Sequence, residues 1–127
     1  MRTREIPFEE WPEFFREFGR RHENWLATVR VLGPSLGDQV EARELPLAGI
    51  VGNREWGAIS IHLGRSSESA LEHPVERPLR VWVELEDDGA ERALEIESAN
   101  GDKTILEFRV THPPEMVDGI VEWPTSA

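Results

Sequence analysis

Between residues 79 and 110 apolar and polar positions alternate in three short runs, separated by Asp87-Asp88-Gly89 and by Asn100-Gly101-Asp102. Alternation of period two puts one set of side chains on a buried face and the other in water, and Asx-Gly turns between such runs mark a β-meander. The pattern predicts strands over residues 79–86, 92–98 and 103–110. A two-residue type I′ turn at Asp88-Gly89 sets Val83 opposite Leu94 and Val81 opposite Ile96 on one face, and Arg80 opposite Glu97 on the other. Keeping Leu94 and Ile96 on the face of Leu106 and Phe108 then requires an odd loop before the third strand. Ala99-Asn100-Gly101 supplies it, with Gly101 as a left-handed bulge residue, and Lys103 falls opposite Glu97.

Upstream the period changes. Trp11, Phe14, Phe15 and Phe18 recur at i, i+3, i+4 and i+7 with charged residues between them, which predicts an amphipathic helix over about residues 10–22 that starts at Pro12. Residues 25–32 alternate again and end at Gly33-Pro34. A second strand spans residues 40–51, where Pro46 marks an edge or a bulge because proline donates nothing to a ladder. A third spans residues 58–63, with Ile59, Ile61 and Leu63 inward, and residues 64–78 read as the longest irregular stretch. The predicted class is mainly β (α+β): an N-terminal amphipathic helix capping a six-stranded antiparallel, partly closed small barrel with a C-terminal meander. This order is similar to Sm-like and SH3-like barrels at the level of fold, which carries no function. At 127 residues the expectation is one domain over residues 1–127.

Charge narrows the partners. The chain carries 25 acids against 14 bases, a net charge of −11, with no acidic tail to account for it. Such a surface repels phosphate backbones, so nucleic acid is not an expected partner. Without cysteine there is neither a disulfide framework nor a thiolate metal site. No apolar run approaches the roughly 20 residues that span a bilayer, and Met1-Arg2-Thr3-Arg4 leads into polar sequence rather than a signal-peptide core. The expected setting is cytoplasmic, with no membrane partner.

Three segments carry a family resemblance: Thr3-Arg4-Glu5-Ile6-Pro7 with Trp11 and Phe14-Phe15, then Val40-Glu41-Ala42-Arg43-Glu44-Leu45-Pro46-Leu47, then Leu94-Glu95-Ile96-Glu97-Ser98. Over nearly its whole length the chain resembles a family of short, stand-alone bacterial proteins known only as a domain of unknown function. The resemblance implies no activity and no functional residues.

Chemistry-bearing residues are sparse. His22, His62, His73 and His112 have no metal-ligand spacing. His22 reads as a cation at the helix C-terminus, favoured by the dipole, and His62 as a solvent-facing strand residue. His73 has Glu72 and Glu76 nearby and Ser66, Ser67 and Ser69 upstream, the composition of a Ser-His-Glu site but without a nucleophile elbow. The two Asx-Gly turns lack the continuation of a calcium loop. Gly49, Gly52 and Gly57 lack the lysine and following helix of a phosphate cradle. No cofactor and no metal are therefore expected.

The outward face of the meander breaks its own pattern. Most of its positions are charged, yet Trp82 and Ile105 stand among them, flanking Glu95. Either the helix or the C-terminal tail covers them, or they form a contact surface. The leading expectation is a non-catalytic interaction or self-association module that binds a protein partner or itself, as a homodimer. The alternative is a small-ligand-binding or sensing barrel whose mouth is closed by the loop at residues 64–78. A hydrolase-like enzyme using the His73 loop comes third. A concave pocket lined by Trp25 or Trp56 favours the ligand reading, and a flat face centred on Trp82 favours interaction.

Overall fold

A computed structural model describes residues 1–34, 37–52, 56–65 and 70–109. The aromatic stripe of residues 11–18 does form a helix. A 3₁₀ turn, Phe8–Glu10, runs into α1, Trp11–Arg21, with Pro12 in its first turn, where a missing N–H costs nothing. Trp11, Phe15 and Phe18 are at most 2% exposed and Phe14 is 9%. Burial of four such side chains at about 1.5–3 kcal/mol each makes α1 part of the core.

Eight strands, rather than six, make one antiparallel sheet: β1 Arg2–Glu5, β2 Leu26–Gly33, β3 Gly37–Gly52, β4 Ala58–Leu63, β5 Leu71–Glu76, β6 Pro78–Leu85, β7 Glu91–Ser98 and β8 Lys103–Phe108. Their order across the sheet is β1-β6-β7-β8-β2-β3-β4-β5. The two unpredicted strands are its two edges. Every residue of β1 is exposed, and β5 buries only Val75 and contains Pro74. An edge strand needs a partner on one side only, so it tolerates proline and shows no hydrophobic alternation. Residues 71–76 of the expected loop at residues 64–78 are therefore the strand β5.

The sheet bends round on itself without closing. The edge strand β5 and β6, which lies second from the other edge, are joined by Arg77 alone, in a left-handed conformation (φ 47°). The backbone of Arg77 donates to Gly57 and accepts from Ala99, tying β4 to the end of β7. No ladder links β1 to β5, so the partly closed barrel becomes a curled open sheet. Its concave side is filled by α1 and by Val29, Leu47, Ile59, Ile61, Leu94 and Leu106, all at most 1% exposed.

The sixteen-residue β3 serves both halves of the sheet. Up to Pro46 it pairs with β2, and from Leu47 it pairs with β4. Pro46 thus sits where the strand changes partners. Two bulges precede it. Thr28 of β2 is opposed by both Arg43 and Glu44, and Glu41 is a further extra residue between the pairs Val29–Ala42 and Arg30–Val40. Glu44 takes a positive φ of 52° and its N–H donates to Thr28 Oγ1 at 3.1 Å.

In the meander, Val83 pairs with Leu94, Val81 with Ile96, Arg80 with Glu97 and Glu97 with Lys103. The second turn is the expected odd loop, with Gly101 at φ 95°. The first turn differs. Gly89 N–H donates to Glu86 and Glu86 N–H to Ala90, which makes a three-residue loop, Asp87-Asp88-Gly89, with Gly89 alone at positive φ. A bulge at Arg92 absorbs the extra residue, so the strand register is the one a two-residue turn implies.

One glycine of β3 allows close packing. A Cβ on Gly52 would lie inside the indole ring of Trp56, well within van der Waals contact, whereas one on Gly49 would meet nothing within 4 Å. Gly52→Ala is expected to lower stability by about 1–3 kcal/mol through displacement of Trp56, and Gly49→Ala to change it by less than about 0.5 kcal/mol. Urea midpoints at unchanged m-value measure both. Equal effects at the two sites would show that the indole does not depend on Gly52.

Candidate functional site

Directly opposed residues of neighbouring strands share a face, and following the register across six strands gives one row: Glu5, Trp82, Glu95, Ile105, Arg30, Val40. This is the convex side of the sheet, turned away from α1. Phe18 of the helix stacks on Phe108 in the core at 5.6 Å, so the helix does not cover Trp82. The tail from residue 110 onward lies outside the described residues. Trp82 and Ile105 are half-buried on either side of Glu95, and Lys103 Nζ approaches the Glu95 carboxylate at 3.5 Å. The three residues named from sequence therefore stand together.

Towards β3 the row runs into an open concavity of about 510 Å³. Arg30, Arg43, Arg92 and Arg109 line it, with Val40 and Phe108 as apolar walls. Glu44 and Glu107 also line it. Arg30 contacts Glu107 at 3.3 Å and Asp38 at 3.1 Å, Arg109 contacts Glu44 at 3.7 Å, and Arg92 contacts Glu86 at 3.1 Å. Arg43 has no ion-pair partner among the described residues. Neither Trp25 nor Trp56 lines this concavity. Its arginines come from β2, the bulged part of β3, the bulge of β7 and the residue after β8. No linear spacing announces them, and only the pairing of Arg43-Glu44 with Thr28 brings β3 into the group.

The His73 arrangement does not form. His73 lies in β5, opposite Ile61, in a row that continues to Ile50, so it points to the core side of the edge strand. Glu72 and Glu76, one and three positions away, project from the other face. The three serines lie outside the described residues. Burial pushes His73 below the ordinary imidazole range, and the Glu41 charge opposes that shift. His62 stands on the convex face between Gly49 and Glu72. His112 lies outside the described residues.

His22 is a core residue, not an exposed cation. It is 4% exposed and stacks on Phe108 at 4.5 Å, with Trp25 edge-on at 4.6 Å. Its Nδ1 lies 2.7 Å from the Phe18 carbonyl oxygen, which can only accept, so this nitrogen carries the proton. Nε2 faces Glu91 Oε1 at 3.4 Å, and Glu91 is held by a bidentate contact with Arg21. Burial lowers the His22 pKa, while the Phe18 carbonyl and the Glu91 carboxylate oppose this. In the two meander turns the acidic and amide side chains are used locally: Asp88 accepts from Ala90 N–H at 3.0 Å and Asn100 from Asp102 N–H at 2.9 Å. Among the described residues no group of three or more His, Cys, Asp or Glu is placed to hold a metal ion, and no helix is long and apolar enough to cross a membrane.

The sequence pattern of a family of unknown function, DUF5335, matches residues 2–116. The chain belongs to that family. It is also similar to an uncharacterized protein of Aquifex aeolicus (strain VF5), 26% identical over 113 residues that cover 89% of this chain and 97% of the relative. No solved structure matches it. The family extends across the helix, the whole sheet and the concavity, so all of these features belong to one family unit.

The lowered pKa values of His22 and His73 have a definite consequence for stability. A histidine whose folded pKa is depressed binds protons more tightly when unfolded, so its contribution is complete above the ordinary value of 6.5 and is lost as pH falls through the folded pKa. Unfolding free energy from urea titrations is expected to decline between about pH 7 and pH 5, before most carboxylates titrate. The decline should be shallower in His22→Phe and shallower again with His73→Phe added. An identical pH slope in all three proteins would contradict the burial of both rings.

Proposed function

We propose that the protein is a non-catalytic module that associates with a second copy of itself through the convex face of the meander. The observation that supports this is the self-complementarity of the row Glu5, Trp82, Glu95, Ile105, Arg30, Val40. A two-fold axis through Ile105 sets Ile105 on its own copy, Glu95 against Arg30 and Trp82 against Val40. Apolar thus meets apolar and acid meets base in a single arrangement. An isologous interface needs this property, because each patch must fit itself. Trp82 takes the part of a central aromatic anchor, and Val40 is 43% exposed, a large apolar contribution to an otherwise charged face. A catalytic reading has no support in the placement of His73, Glu72 and Glu76. In the ligand-barrel reading, residues 71–76 of the mouth-closing loop are instead the edge strand β5.

Gel filtration with light scattering across a range of concentrations tests this reading. The intact chain is expected to show a concentration-dependent dimer mass. Trp82→Glu is expected to remain monomeric while its melting behaviour stays within about 1 kcal/mol of the parent, as for a surface site. Arg30→Glu should also weaken the dimer, and Glu95→Arg added to it should restore association by exchanging the charges. A chain that is monomeric at every concentration would overturn self-association. Unfolding of Trp82→Glu, with Arg30→Glu still dimeric, would place the interface elsewhere.

A further inference from the structure

We propose that the arginine-lined concavity is a binding site for a small molecule bearing two or more oxyanion groups, carboxylate or phosphate. The site shares Arg30 and Val40 with the face proposed above for self-association, so a dimer formed there would compete with a ligand for these two residues. The first ground is composition. Four of the chain's 14 basic residues line one space, against two glutamates, on a protein whose net charge is −11. A charged surface normally disperses like charges, and four guanidiniums brought together from four strand segments repel one another except where carboxylates offset them, as Asp38, Glu107, Glu86 and Glu44 do for three of the four.

The second ground is the state of those guanidiniums. Arg43 has no ion-pair partner among the described residues; Arg30 keeps Asp38 and Arg92 keeps Glu86, each at 3.1 Å, but the contacts of Arg30 with Glu107 (3.3 Å) and of Arg109 with Glu44 (3.7 Å) are long for paired, hydrogen-bonded ions. Their carboxylates are 39% and 53% exposed. Exposed pairs of this kind hold a side chain extended at little energetic cost to separate. A better acceptor can therefore take over the guanidinium forks, which match carboxylate and phosphate oxygens two at a time. One oxyanion engages one or two forks, so four forks around one space call for at least two.

Backbone geometry supplies the third ground. Arg43 and Arg92 are both at bulges, where an extra residue re-aims a side chain that regular pairing would direct elsewhere. A volume of about 510 Å³ lies within the range of small-molecule sites, roughly 300–1,000 Å³. Val40 offers apolar wall for the body of such a ligand, and Thr28 a hydroxyl.

Isothermal titration calorimetry at low ionic strength, with citrate and with inorganic pyrophosphate as probes, tests the site. Both the intact chain and Trp82→Glu are titrated, so that self-association through the overlapping face cannot hide the concavity. Saturable binding of at least one probe is expected. Arg43→Ala should weaken it by about tenfold or more, and Arg43→Lys, which keeps the charge but not the fork, by an intermediate factor. Arg20→Ala makes the same change in net charge on the exposed side of α1 and should leave affinity within about twofold. Preference for citrate would name a carboxylate ligand, and preference for pyrophosphate a phosphate. Absence of saturable binding to either probe, or equal losses in Arg43→Ala and Arg20→Ala, would overturn the proposal whatever the oligomeric state proves to be.

Discussion

The structure depends on β3 satisfying three sets of neighbours along sixteen residues. Its first half must complete the ladder of β2, its second half must begin the ladder of β4, and between them it must present a surface to α1. A straight strand cannot do this, since one sheet would then stay flat and the helix would have no hollow to fill. Two bulges and Pro46 break the pairing where it has to change, and Gly19 of the helix lies over the β3 backbone, where a Cβ on it would stand 3.5 Å from the Ile50 nitrogen. The aromatic stripe and the bent strand are thus conditions for each other.

How legible each element was follows from how many of its neighbours lie close in sequence. The meander register could be read in full because strands joined by short turns constrain one another: Val81, Val83, Leu94 and Ile96 leave one pairing that buries all four. From sequence the turn at residues 87–89 reads as a two-residue loop, since a three-residue loop with a compensating bulge at Arg92 yields the same register. The sequence of Asp87-Asp88-Gly89 does not separate the two. Strands β1 and β5 carried no usable pattern. An edge strand of four exposed residues has no buried face to record, and β5 has Val75 as its one buried side chain.

His22 shows the complementary failure. A histidine after Arg20-Arg21 at a helix end has the local features of an exposed cation. Its burial comes from Phe108 and Trp25, which are brought to it by the β2–β8 pairing. For the candidate site the same rule held. Trp82, Glu95 and Ile105 belong to the meander and could be placed together in advance. Arg30, Arg43, Arg92 and Arg109 meet only through the β2–β3 and β2–β8 ladders and two bulges, so no spacing along the chain predicted their proximity.

Net charge and local charge need not lead to the same partner. At physiological ionic strength, fields between exposed charges decay over about 8 Å, which is shorter than the reach of the sheet. A long polyanion lying on this protein would span many such lengths and meet the excess of acids over most of its contour. A molecule small enough to sit between Arg30, Arg43 and Arg109 would instead feel chiefly those guanidiniums and their weakly held carboxylates. For the proposed oxyanion site, an acidic surface would act as a filter on size, disfavouring extended phosphate chains while leaving room for a compact ligand. It also bears on self-association, because two copies with a net charge of −11 each repel at long range. A dimer through the convex face must therefore rest on short-range terms, Trp82 against Val40 and Glu95 against Arg30, and should tighten as added salt screens the long-range repulsion more than these close contacts.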